Sequence, residues 1–429
     1  MSSQKDSVEF RKFLKEKILE YLLPALIFGS TFWISEPESL DLRFKFRGEV
    51  PADPRIVLID IDDESSALRP PWNLAELEKL LLPILECKPA AVGIDLKFYG
   101  DTPNFVGDLQ AFVDSLARFS VPIVLTVAFA DSQYREVKLQ SIPPNISFGS
   151  VTLLDTYYPE SDHVVRRAQL FNGKNREGRP VYAFALQLLA AAKGIDPMQS
   201  LAELAASGLS GSPQEYHLIN YANNYRHAYQ KRLHQAGQLV DKFTSMQARE
   251  LLEQDHAPEW RARLAKQIHD STIVLVGATY EKNAPTEDWF RIPLSWDEKI
   301  SGVVAHANIL NWLLRRSFIS EPDVLRTLFI ILGLIILSWL VIHFVEFKWA
   351  TLILVGVFLM YGMVTFLLFA RWEIWLPLIW PMRLVIYFVL GLFVFEKIIL
   401  EYFPWRKGRV RWLLPYSKPS FSGQGRRRR

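Results

Sequence analysis

A single cysteine, Cys87, occurs in the 429 residues. No intrachain disulfide can form, so any domain in the chain must be held by a buried apolar core. Cys87 itself reads as a small apolar group at the end of a helix. Equally absent are a Gly-x-Ser-x-Gly elbow, a His-Glu-x-x-His pair and a glycine-rich phosphate loop ending in Lys-Ser or Lys-Thr. Their absence removes the usual motif-borne routes to serine hydrolase, metalloprotease and nucleotide chemistry. Internal repeats are missing too, and the only biased tract is the arginine-rich tail. No large excess of one charge exists: 49 basic residues face 46 acidic ones. That balance gives no reason to expect a nucleic acid partner.

Apolar residues, by contrast, are plentiful and unevenly spread. Three blocks, 324–345, 349–370 and 374–395, are separated only by short polar punctuations. Each has the roughly 20 residues a helix needs to cross a bilayer core. A fourth block, 18–34, follows a basic leader with Lys5, Arg11, Lys12, Lys15 and Lys17. No small-x-small cleavage site closes it, so the expectation is an uncleaved signal anchor. Four spans put both termini on one side. The tail carries Lys397, Arg406, Lys407, Arg409, Arg411, Lys418 and Arg426 to Arg429 against only Glu396 and Glu401, which marks that side as cytoplasmic. The expected organisation is a leader at 1–17, an anchor at 18–35, an extracytoplasmic domain at 36–322, three spans within 323–396 and a cytoplasmic tail at 397–429. Such a tail also suits anionic lipid headgroups.

Within the outer segment the pattern alternates strand and helix. IVLIDI at 56–61 is a β-branched run suited to a buried strand, and 74–86 repeats apolar residues at helical spacing. A strand at 91–96, a helix at 108–119 and a strand at 122–129 follow. Later come a helix at 181–193, strands at 216–221 and 272–277, and helices at 246–254 and 303–315. Strands separated by helices of this length imply a mostly parallel sheet flanked by helices, an α/β fold.

Five segments in this order carry a resemblance: RIVLIDIDDES at 55–65, AAVGIDLKF at 90–98, HVVRRAQLF at 163–171, STIVLVGAT at 271–279 and ISGVVAHANILNWLL at 300–314. Together they resemble the second type of CHASE domain, a sensory extracellular domain associated with cyclases and histidine kinases. Three closely spaced spans after the domain match its layout. Members of that family commonly continue into a cytoplasmic output domain. Little chain follows the last block here, so the resemblance implies that a separate cytoplasmic effector supplies the output. The family's Trp-Pro-Trp-like cluster is replaced by Arg69-Pro70-Pro71-Trp72.

In an open parallel sheet the ligand crevice lies beyond the carboxyl ends of the strands. Acids collect there: Asp60, Asp62, Asp63 and Glu64 after the first strand and Asp95 at the second, with Thr279, Glu287 and Asp288 after the strand ending at Gly277. The cluster is a candidate small-molecule pocket, and its oxygens would also suit a hard cation. Capping of adjacent helices is the competing role for each acid. Arg166 and Arg167 form a candidate anion clamp. His306 is placed either at the pocket rim or between the domain base and the bilayer. Neither a cofactor nor a catalytic residue is expected, although a hydrolase built on Asp60, Asp62 and Asp95 remains a formal alternative. Other open readings are an envelope docking scaffold and a homodimer. A sensor would pass its signal along the segment 300–316 into the following span.

Overall fold

The computed structural model describes residues 35–63, 65, 68–98, 105–130, 133–135, 137, 139–153, 164–175, 177–212, 215–222, 243–253, 258–279, 289–294, 299–345 and 347–394. The apolar block at 18–34, the leader and the tail lie outside them, as do Glu64, Glu287 and Asp288. Two compact units emerge, Phe44–Ser320 and Met1–Arg43 with Glu321–Arg429.

In Phe44–Ser320 six strands form the central sheet: β1 (Ile56–Ile61), β2 (Ala91–Asp95), β3 (Ile123–Ala130), β4 (Ile146–Ser150), β5 (Thr244–Gln247) and β6 (Ile273–Ala278). Their order is β5-β1-β6-β2-β3-β4, and every neighbouring pair is parallel. A short antiparallel strand, Gln133–Arg135, joins the end of β3. Strands covered on both faces read as continuous apolar runs, which is why IVLIDI and TIVLVG are legible as strands. One feature of the order was not: β6, late in the sequence, inserts between β1 and β2.

Each face of the sheet has its own core. On one side Val57, Ile59, Val92, Ile94, Val274 and Val276 pack under α2 (Leu74–Glu86), α3 (Leu109–Leu116), α6 (Ala248–Glu253) and α7 (Pro258–Gln267). On the other, Ile56, Leu58, Ala91, Val124, Ile273 and Leu275 meet α4 (Phe184–Lys193), α5 (Pro197–Ala206) and α8 (Gly302–Arg315). Local caps set the helix starts: Asn73 accepts from the Ala75 amide at 3.1 Å, and Asp108 accepts from Gln110 at 2.9 Å. The α1 label belongs to Glu36–Arg47, within which the boundary between the units falls.

Several elements differ from the sequence expectation. The helix expected at 246–254 is Ala248–Glu253, because Thr244–Gln247 is drawn into the sheet beside β1. The strand at 216–221 is only Tyr216–Leu218 and pairs antiparallel with Arg167–Gln169, away from the central sheet. The first residues of the helix at 181–193 belong instead to a hairpin of Pro180–Tyr182 with Phe171–Lys174. Most consequential is α8. Arg316 adopts the left-handed conformation, φ 52°, and ends it, so no continuous helical rod runs from Ile300 into the next apolar helix. Instead every residue of α8 from Gly302 to Leu313 is buried.

In the other unit, α9 (Val324–Phe344) and the Leu352–Trp372 part of α10 (Phe347–Trp372) are long and apolar enough to cross a membrane. Within the described residues, the block expected as a span at 374–395 is helical as α11, Ile379–Val394, of 16 residues. Its first residues fold into an irregular turn. Among the described residues, therefore, two helices meet the length of a span, and four-helix anchoring stands as an expectation.

Candidate functional site

Register brings two of the sequence-predicted acids into one row. Asp60 of β1 and Asp95 of β2 both pair with Gly277 of β6, the strand between them. Adjacent parallel strands in register send paired residues to the same face, so the two backbones stand roughly 9–10 Å apart across Gly277. That face is the one under α8: a Cβ added at Gly277 would lie 2.6 Å from the Val303 Cβ. Glycine is what allows the first turn of α8 to press on the sheet there. Consequently the two acids share the sheet face that carries the first turn of α8.

Asp60 is 1% exposed, and Asp95 is half-buried. On its other side Asp60 pairs with Gln247 at the end of β5. Ser301, the N-cap of α8, makes no side-chain cap bond, and its buried Oγ has no hydrogen-bond partner. Below the row the buried Thr126 donates to the Leu96 carbonyl at 2.5 Å, fixing the chain just past β2.

The other acids do not join this row. Asp62 caps a turn, its Oδ1 accepting from the Ser65 amide at 3.0 Å and the Ser65 hydroxyl at 2.8 Å. Asp63 lies 3.4 Å from the Arg69 guanidinium, which also donates to the Asp63 carbonyl. Among the described residues no group of three or more His, Cys, Asp or Glu is arranged to hold a metal ion. Half-buried Thr279 donates its amide to the Ile61 carbonyl at 2.9 Å, tying the exits of β1 and β6 together.

Arg166 and Arg167 belong to the ribbon formed with Tyr216–Leu218 rather than to the strand ends. Arg166 is buried, and Arg167 donates to the Tyr216 carbonyl at 2.9 Å. The ribbon is pinned by Tyr221, whose hydroxyl donates to the Val165 carbonyl at 2.8 Å.

His306 sits inside the core. Its ring stands edge-on to Phe184 of α4 with centroids 5.3 Å apart, and it hydrogen-bonds the Val151 backbone. Burial pushes its pKa down to about 4, so the imidazole is neutral at physiological pH. Cys87 is half-buried, and burial raises its thiol, which suits packing rather than reactivity.

Asn311 was not singled out in the sequence, yet it anchors the approach to β1: its Oδ1 accepts from the Asp53 amide at 2.7 Å. Asn308, one turn earlier, accepts from the Ala222 amide at 2.9 Å and donates to the Val304 carbonyl. Burial alone would raise Asp53, but its bidentate contact with Arg55, 2.9 and 2.6 Å, holds it below the usual carboxylate range. Two buried amides three residues apart on a mostly apolar helix were the available signal, and their partners are remote in sequence.

A family model described as the CHASE2 domain matches residues 21–345. No curated protein and no solved structure matches the chain.

Proposed function

The chain belongs to the CHASE2 domain family, an extracellular sensory family, and from that premise we propose that it is a membrane-anchored receptor whose outer domain binds a small ligand. Ligand binding is read out by a separate effector. The observation that carries the ligand's position is the row of Asp60, Gly277 and Asp95 beneath the amino end of α8. A strand-end crevice with fixed carboxylates and helix amides offers both acceptors and donors to a polar molecule.

Apolar α9 and α10 support anchoring. The basic residues at both ends of the chain support cytoplasmic termini and an outer position for the domain. A further contact favours the same topology. Glu36, just past the first apolar block, accepts hydrogen bonds from Leu378 and Ile379, which follow α10. An outward first block and an in-and-out pair of α9 and α10 bring those residues to one side.

Thermal unfolding of the full chain in detergent tests the reading, with Mg²⁺, Ca²⁺, nucleotides and small anionic metabolites as probes and Asp95→Asn beside wild type. At least one probe should raise the midpoint by several degrees, and Asp95→Asn should remove that shift while keeping the unliganded midpoint near wild type. A shift untouched by Asp95→Asn, or none with any probe, overturns the placement.

A further inference from the structure

The turn between α10 and α11 cannot satisfy its own backbone. Helix α10 closes with Glu373 in the left-handed conformation, φ 56°, its amide donating to the Phe369 carbonyl at 3.2 Å, an αL-type end. From there to Ile379 the sequence is Ile-Trp-Leu-Pro-Leu, with no Ser, Thr, Asp or Asn to cap the next helix. The first amides of α11 therefore need acceptors from elsewhere.

Side chains of α1 and α10 supply what is missing. The two carboxylate oxygens of Glu36 accept from the Leu378 amide at 2.9 Å and the Ile379 amide at 2.7 Å, with Trp380 at 3.4 Å. Arg43, fully buried, donates to the Leu376 carbonyl at 2.6 Å and to the Ser39 hydroxyl at 3.1 Å. Its guanidinium also lies 3.6 Å from the Glu36 carboxylate and 5.8 Å from the Phe366 ring centre. The Tyr361 hydroxyl donates to the Pro377 carbonyl at 2.6 Å.

Tyr361 precedes Trp372, the last residue of α10, by three helical turns, or roughly 16 Å of helix. The turn thus folds back alongside α10 instead of standing beyond its end. If α10 crosses a bilayer, as the proposed function holds, irregular backbone lies at membrane depth, where water cannot replace a lost partner.

We infer that Glu36, Arg43 and Tyr361 form a clasp that closes this turn and fastens the helix following the first apolar block to α11, with Glu36 serving as the cap α11 lacks. Arg43 has two tasks in the clasp: it neutralises the Glu36 carboxylate and occupies the Leu376 carbonyl. Only the depth of the clasp rests on the membrane reading; its contacts do not. A polar contact satisfied in this way behaves differently from an ion pair, because exchanging the two charged residues would aim a cation at helix amides.

Hydrogen–deuterium exchange of the full chain in lipid nanodiscs decides the matter, reading peptides that contain 378–380 beside peptides from β1 and β6. Glu36→Leu should speed exchange at 378–380 at least tenfold and leave β1 and β6 unchanged. Glu36→Gln, which keeps one acceptor oxygen and carries the test should Glu36→Leu fail to fold, should give a smaller increase in the same place. The exchanged pair E36R/R43E should remain deprotected. Unchanged exchange at 378–380 in both Glu36 variants overturns the clasp. Restoration by the exchanged pair reduces it to an ordinary salt bridge and overturns the capping role. Membrane pellets washed at alkaline pH test the membrane reading separately: release of wild type without detergent would remove the depth and leave the clasp standing.

Discussion

His306 illustrates how a residue's type can be legible while its surroundings are not. Histidine on a helix near the membrane suggests a rim or an interface. The structure instead buries it between α8 and α4, against Phe184. Nothing in the helix's own pattern shows this, because apolar residues occupy every side of α8. A measurable consequence follows from its pKa of about 4, below the ordinary 6.5. The unfolded chain binds this proton as pH falls through 6.5, whereas the folded protein resists it until about 4. Stability contributed by neutral His306 is therefore complete above pH 6.5 and declines toward pH 4, by a total on the order of 3 kcal/mol. Urea unfolding between those pH values should show the decline, and His306→Leu should flatten it; an equally steep profile in the variant would contradict the assignment. Asp60, by contrast, was readable as a strand-end acid from IVLIDI alone. Its pairing across Gly277 with Asp95 was not, since that depends on strand order.

At the scale of elements, local pattern worked where burial was two-sided and failed where it was not. The strands β1, β2, β3 and β6 announce themselves as continuous apolar runs, and α2 and α3 by their periodicity and caps. Strand β5 reads Thr-Ser-Met-Gln, too polar and short to signal a strand, and it exists because β1 offers an edge. Glycine inside a strand is the other element-level clue. At Gly149 of β4 an added Cβ would stand 2.5 Å from the Phe184 Cα, a backbone atom that cannot rotate away. Gly149→Ala should therefore push α4 off the sheet and destabilise the protein by about 1–3 kcal/mol, checked by urea denaturation. Gly356→Ala in α10, where nothing lies within 4 Å, should leave the thermal midpoint in detergent near wild type or slightly above it.

Taken whole, the molecule is two structures on one chain. Phe44–Ser320 carries a sheet with an apolar core on each face. The helices outside it expose large apolar side chains such as Phe329, Leu359 and Met363. A fragment of residues 44–320 should accordingly be recovered without detergent and unfold in one cooperative urea transition, as circular dichroism would report. A fragment that aggregates or melts gradually would show that the apolar helices are needed for the fold. The apolar blocks that make up the helices outside the sheet are visible in the composition without structure. The irregular turn before α11 was hidden, since its polar groups are backbone and leave no trace in the sequence.

The insertion of β6 between β1 and β2 also orders the protein's manufacture. Strands β1 and β2 are made early but cannot close on each other, because the strand that belongs between them is nearly the last of the domain to leave the ribosome. Until Ile273–Ala278 arrives the sheet has a gap through its middle, and α8, which seals one face, comes later still. The next helix is α9, which is long and apolar enough to halt transport across a membrane. Completion of the sheet therefore waits for one of the last strands of the domain, made shortly before the apolar helices.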